Sequence, residues 1–202
     1  MNTLIKKIIG IGLVLSLTFS VNAQKFSYGI KAGSTFAVQS ETGNLYNNDD
    51  IKAGLHFGAL GSLSLTDKLK LQTEVNYEQK GSAYDNITNS YEYISVPVLA
   101  KLSLGKSLKT PLHFNIYAGP YAAFLINAES EISDIESGGT IDKNDDTKNT
   151  EIGLVGGFVV SYPVNTSNIF LDFRFDLGLT EFDKTDTDLR NKCFGISLGL
   201  EF

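Results

Sequence analysis

The sequence predicts an all-β chain: an eight-stranded, antiparallel, up-and-down transmembrane β-barrel, preceded by a cleavable signal peptide. Three observations predict it. Eight stretches alternate apolar and polar residues with period two, the connections between them alternate in length, and the chain opens on the layout of an export signal.

The export layout comes first. "MNTLIKKIIGIGLVLSLTFSVNAQ" has a basic patch at Lys6 and Lys7, an apolar run from Ile8 to Phe19, and small residues closing at "VNA". This pattern predicts a Sec-type secretory signal over residues 1–23, cut after Ala23, with residues 24–202 forming one barrel domain. A run of roughly a dozen apolar residues falls short of the ~20 that span a bilayer as a helix. The only cysteine is Cys193, so no intramolecular disulfide forms and no cysteine follows the signal to carry a lipid anchor. Without Lys6 and Lys7 the 17 basic residues fall to 15 against 23 acidic ones, a net charge of −8. A phosphate backbone is repelled by that balance, which argues against nucleic acid as a partner.

The alternating stretches follow in order. The first, Phe26 to Phe36, sets Phe26, Tyr28, Ile30, Ala32 and Phe36 against Ser27, Gly29, Lys31, Gly33 and Thr35. The second, Ile51 to Leu65, sets Ala53, Leu55, Phe57, Ala59 and Leu63 against Lys52, His56, Ser62 and Ser64. The third, "LQTEVNYEQKG", separates Leu71, Thr73, Val75 and Tyr77 from Gln72, Glu74, Asn76, Glu78 and Lys80. In the fourth, "YISVPVLAKLSL", Ile94, Val96, Val98, Ala100 and Leu102 share a face, and Pro97, which lacks a donor, predicts a local irregularity. The fifth, "LHFNIYAGPYAAFLI", sets Leu112, Phe114, Ile116, Ala118, Ala122 and Phe124 against His113, Asn115, Tyr117 and Tyr121. The sixth, Ile152 to Tyr162, is apolar on both faces with glycines interspersed, and its parity stays open. The seventh, "IFLDFRFDLGL", holds an unbroken stripe of Ile169, Leu171, Phe173, Phe175, Leu177 and Leu179 around Asp172, Arg174 and Asp176. The eighth, "KCFGISLGLEF", sets Phe194, Ile196, Leu198, Leu200 and Phe202 against Cys193, Gly195, Ser197, Gly199 and Glu201.

Short turns are expected at Thr66 to Lys68, Gly105 to Pro111 and Pro163 to Ser167. Long polar loops are expected at Val38 to Asp50, Ser82 to Ser90, Asn127 to Thr150 and Glu181 to Arg190. If strands run up and down, all long loops fall at one end and all short turns at the other, the asymmetry of bacterial outer-membrane barrels. A soluble eight-stranded barrel or sandwich explains the alternation equally well and would bury the apolar stripes. The export signal, the alternating loop lengths, the long strands and the apolar stripe ending on Phe202 together favour apolar side out. The outward stripes carry almost no charge, as hydrocarbon demands. Aromatics also gather at strand ends: Phe36, Tyr77 and Phe124 by the long loops, and Phe26, Phe114, Tyr162 and Phe202 by the short turns, as two interfacial girdles would require.

Taken in order, "LQTEVNYEQKG", "YEYISVPVLAKLSL", "YAGPYAAFLI" and "LDFRFDLGLTEF" resemble the PorT-like outer-membrane β-barrel family of Gram-negative bacteria, over nearly the whole mature chain. The resemblance implies an eight-stranded barrel in the bacterial outer membrane, surrounded by outer-membrane lipid. It also implies a C-terminal signal, here Phe194, Ile196, Leu198, Leu200 and Phe202, for the barrel-insertion machinery. A namesake member is implicated in protein secretion, so a secretion or envelope-assembly partner is implied, while most members have no established activity.

Glu74, Lys101, Asp172, Arg174 and Asp176 all fall on the lumen parity, and buried charges persist only when paired, so an ion-pair network is expected. Its structural form is a plug that stabilises the barrel, and its functional form is a gated ion path or substrate relay; for the whole protein the expectation is a structural or interaction scaffold with a side-chain-filled lumen, and the alternative a narrow channel for small solutes. His56, His113 and inward serines permit a Ser/His pair and an outer-membrane lipid-modifying enzyme, but no nucleophile motif accompanies them. "DKNDD", Asp142 to Asp146, imitates a calcium loop but lacks its glycine and its terminal glutamate, and reads better as a solvated acidic tip. "NIT" at Asn86 and "NTS" at Asn165 read as chance matches to a glycosylation pattern. No enzyme activity, metal or cofactor is expected.

Overall fold

The computed structural model describes residues 25–41, 50–84, 87–106, 110–132, 139–142, 149–180 and 189–202. Nine strands form in chain order: β1 (Phe26–Glu41), β2 (Asp50–Ser64), β3 (Leu69–Tyr84), β4 (Ile87–Lys106), β5 (His113–Ile132), β6 (Gly139–Asp142), β7 (Thr150–Val164), β8 (Ser167–Gly178) and β9 (Leu189–Glu201). Eight of them are staves of one closed antiparallel barrel in the order β4-β3-β2-β1-β9-β8-β7-β5, closed by β4 against β5. The first and last strands meet from Gly29↔Glu201 to Glu41↔Leu189, so every stave has a neighbour on both sides. β6 is not a stave. It pairs with the outer end of β5, from Glu129↔Asp142 to Ile132↔Gly139.

Strand extends into two of the expected loops. β3 and β4 stay paired up to Tyr84↔Ile87, and β4 and β5 up to Ile87↔Ile132, through segments expected as the loops Ser82 to Ser90 and Asn127 to Thr150. β1 likewise runs to Glu41. Backbone pairing satisfies a strand whether or not lipid surrounds it. Outside the bilayer both faces can be polar, so the hydrophobic alternation stops before the strand does. At the other end the fully described connections, residues 65–68 and 165–166, are tight. β7 and β8 join through a two-residue hairpin, with Val164↔Ser167 as the last pair and Asn165 at φ 53°, the positive φ that such a turn requires and asparagine tolerates.

The alternation sorts residues as hydrocarbon requires. Ile30 and Leu198 are each 60% exposed on the outer face, while Lys31 and Arg174 between such residues are 4% and 2% exposed on the inner one. Gln79 Nε2 donates to Glu92 Oε1 at 3.2 Å on the outer face just above Tyr77, which marks the upper edge of the apolar belt. Phe26, Phe114, Tyr162 and Phe202 are exposed by the short turns, and Phe36 and Phe124 by the long loops. Aromatics also occupy the middle of the belt, where Phe158 and Phe173 stack at 4.5 Å across β7 and β8. The parity of β7, open from sequence, is settled: Glu151, Val155, Val159 and Ser161 point in, and Ile152, Leu154, Phe158 and Tyr162 point out.

Irregularities fall where backbone chemistry demands them. Beside Pro97 the β4–β5 ladder passes from Pro97↔Tyr121 directly to Ala100↔Ala118, since Pro97 and Pro120 lack donors; Thr73 Oγ1 donates to the Pro97 carbonyl at 3.0 Å. A bulge between Glu92 and Tyr93, opposite Asn127 and Leu125, reverses the parity of β5 and buries Ala128.

Candidate functional site

The functional candidate is the lumen itself. Its ionic wall comes from β1, β3, β8 and β9. Lys31 Nζ lies 3.0 Å from Glu74 Oε2 and 2.8 Å from Asp172 Oδ2. Glu74 is the hub: it accepts from Gln72 Nε2 at 2.6 Å, Asn76 Nδ2 at 2.9 Å and Arg174 Nη1 at 3.0 Å. Arg174 in turn gives its Nε to both oxygens of Asp176 at 2.8 and 3.0 Å, and its Nη2 lies 3.2 Å from Glu78 Oε1. Ser95 Oγ donates to Glu78 at 2.8 Å. One connected set of charges therefore reaches from β1 through β3 to β8, straight across the interior. Alternation explains how, because these carboxylates, the Lys31 amine and the Arg174 guanidinium occupy inward positions of strands that face each other.

The opposite wall, from β4, β5 and β7, is aromatic and aliphatic. Tyr91, Tyr93, Leu99, Tyr117, Tyr121, Val155 and Val159 are buried there. The two walls are joined by tyrosine hydroxyls, which carry a polar tip on an apolar body. Tyr117 Oη donates to Asp172 at 2.7 Å, and Tyr121 Oη to Glu151 at 2.5 Å. Lys80 pairs with Glu151 at 2.8 Å while its ammonium sits 5.3 and 5.0 Å from the rings of Tyr93 and Tyr121. Room for these rings comes from glycine on β7. A Cβ on Gly153 would lie 2.5 Å from Tyr121 Cε1, and one on Gly157 2.5 Å from Tyr117 Oη.

Of the residues expected in the network, the structure brings Glu74, Arg174 and Asp176 into direct contact. Asp172 joins them through Lys31. Lys101 stands apart from the carboxylates of that group and reaches it through Gln72, which accepts from Lys101 Nζ at 3.1 Å while donating to Glu74. Its own nearest carboxylate is Glu201, 3.7 Å away. The expectation omitted Lys31, Glu151, Glu201, Tyr117 and Tyr121. Lys31 and Glu201 carried a usable signal, a lone charge on the lumen parity of an otherwise apolar stretch, as did the two tyrosines. Glu151 lay one residue outside the stretch considered.

His56 Nδ1 lies 3.1 Å from Ser197 Oγ, while His56 Nε2 has no hydrogen-bond partner among the described residues. His113 is elsewhere, at the short-turn end. No third group among the described residues orients the His56 ring through Nε2, so the pair lacks the relay that nucleophilic chemistry uses. No group of three or more His, Cys, Asp or Glu fit for a metal occurs among the described residues. Asp142 ends β6, and the rest of the "DKNDD" segment lies outside the described residues, as does Asn86.

Below this ion-pair network, at the short-turn end, the lumen opens into a cavity of about 510 Å³ lined by Lys25, Lys68, Lys70, Lys101, Asn115 and Glu201 among others. An apolar exterior, a closed ring of staves and a charged interior define a transmembrane β-barrel of the outer-membrane type. The chain belongs to the outer membrane protein beta-barrel domain family, whose model matches residues 22–184. Proteins of this kind sit in the bilayer of the bacterial outer membrane and are inserted by the barrel assembly machinery. A major outer membrane protein from Thermus thermophilus has a similar structure, with a TM-score of 0.53 and 11% identity over 88% of this chain and 99% of that one. Neisserial surface protein A is similar at a TM-score of 0.49 and 15% identity, covering 86% and 95%. Ail, the attachment invasion locus protein of Yersinia pestis, follows at 0.47 and 11%, covering 88% and 99%. No curated protein matches the sequence.

Proposed function

We propose that this protein is a plugged outer-membrane scaffold that supports protein secretion or envelope assembly in the manner of the PorT-like barrels. The observation that carries the reading is the filled lumen: Lys31, Glu74, Asp172, Arg174 and Asp176 are each 4% exposed or less and are joined across the interior, with tyrosines packed against them. An eight-stranded barrel has an interior just wide enough for side chains to fill. A filled interior suits a protein that works by its surfaces, and the β4–β5–β6 extension beyond the belt offers one at the long-loop end. In planar bilayers the purified protein is expected to give no steady current. A steady current would favour the alternative, a narrow conduit for small solutes, which has the cavity at the short-turn end in its support.

On this reading residues 1–23 are a Sec-type signal and residues 24–202 the mature barrel; a mature mass beginning at Gln24 is the expected result. Phe194, Ile196, Leu198, Leu200 and Phe202 point outward along β9 and form the stripe offered to the assembly machinery. Deleting Phe202 is expected to slow membrane assembly in cells and to leave refolding into detergent nearly unchanged.

A further inference from the structure

In the middle of the lumen the serines are partnered: Ser62 to Gln72, Ser95 to Glu78, Ser197 to His56. At the short-turn end Ser27 is likewise partnered, to Glu201, but four other polar side chains are not. Ser103, Asn115, Ser161 and Asn168 line the 510 Å³ cavity and make no side-chain hydrogen bond among the described residues. Polar groups that fold inward without partners keep their hydrogen-bonding capacity for something else. The volume falls within the range of small-molecule sites, roughly 300–1,000 Å³.

The charge of the cavity is specific too. Lys70 and Lys101 are direct cross-strand partners on the inward face of β3 and β4. Like charges directly opposite each other are destabilising unless an anion lies between them. Here the anion is Glu201, with Oε1 3.0 Å from Lys70 and Oε2 3.7 Å from Lys101; Ser27 Oγ also donates to it at 2.7 Å. One carboxylate thus serves two ammonium groups and a hydroxyl, and the Lys70 side chain stays 35% exposed. Lys25 and Lys68 add to the lining, so four lysines face two acids, Asp67 and Glu201, in a chain whose formal net charge is −6. A cavity of positive balance on an acidic protein concentrates small anions.

We infer that this cavity is a binding site for a small hydroxylated anion, a sugar acid or sugar phosphate, taken from the side of the short turns, which in outer-membrane barrels faces the periplasm. The anionic group sits on Lys70 and Lys101 beside Glu201, and the hydroxyls meet Asn115, Ser161 and Asn168. The site lies below the plug and needs no passage through it.

The test is calorimetric titration of the purified full barrel in detergent with glucose 6-phosphate and with gluconate, against glucose and inorganic phosphate. Saturable binding of at least one hydroxylated anion, tighter than phosphate and without glucose binding, is expected. Lys70→Gln should weaken it about tenfold, the scale of one charge-assisted contact. Glu201→Gln should tighten it, because both lysines lose their resident counter-ion; a purely structural role for Glu201 predicts no such gain. Absence of saturable binding by both hydroxylated anions, or equal binding by the parent and Lys70→Gln, overturns the inference. Phosphate binding as tightly as glucose 6-phosphate overturns the role of the amides and hydroxyls. Circular dichroism and gel mobility before and after boiling confirm that each variant is folded.

Discussion

Halfway along the barrel, Lys31 touches two carboxylates at 3.0 and 2.8 Å with its side chain fully covered. At the short-turn end, Lys70 touches one carboxylate at 3.0 Å and leaves 35% of its side chain in the open. Both are lysines on inward positions of the same ring of staves, and only depth distinguishes them. In the middle a charge without its partner keeps the full cost of lost hydration, so each group there has acquired several contacts. At the mouth water softens that cost, and incomplete pairing survives. Completeness of pairing therefore separates the part of the lumen that holds the barrel together from the part left available to a ligand.

Substitutions can break this contrast, and their effects should fall in a set order. Arg174→Leu takes the paired cation from buried Asp176 and one of the cations from each of Glu74 and Glu78, and should lower stability by about 3–5 kcal/mol, as loss of one member of a buried ion pair does. Urea midpoints in lipid vesicles would show it, and an unchanged midpoint would remove the stabilising role. Leu198→Arg, at the centre of the outward stripe of β9, tests the other face and should cost about 2–4 kcal/mol in the same assay. In detergent micelles, which give way more readily, the penalty should shrink. Tyr121→Phe removes the hydroxyl shared with Glu151 and should cost about 1.5–3 kcal/mol, the range for a hydrogen bond to a charged group. Lys70→Gln should change stability by no more than about 1 kcal/mol, as a partly exposed pair would. A cost for Lys70→Gln equal to that of Arg174→Leu would erase the distinction between plug and mouth.

Period-two alternation carried the barrel because a bilayer imposes a stricter rule than a soluble core: a single misplaced charge on the outer face is penalised. The stripe from Ile169 to Leu179 left only one face for Asp172, Arg174 and Asp176. Alternation could not show where strands end outside the lipid, so the segments after Gly81 and Ile126 read as loop. It also failed in β7, where Gly153 and Gly157 sit beneath tyrosine rings of β5 and present no side chain to reveal the inward face. For the lumen, parity placed each charge on the correct wall but not at its height or opposite its partner. Those depend on stagger around the closed ring, which is why Lys101 sits with Glu201 near the mouth and not with Asp172.

The pairing of β1 with β9 carries a consequence for how the molecule comes into being. Lys31 and Asp172 are 141 positions apart in the chain, Glu74 and Arg174 are 100 apart, and Lys80 and Glu151 are 71 apart. None of these contacts can reward an early, partial structure, and such distant contacts make folding slow. Until the final strand docks on the first, half-assembled staves must carry ionised side chains that still need hydration. The ring thus has to shut around its own charges in a single late act, so damage near the C-terminus would be felt by residues drawn from every part of the chain.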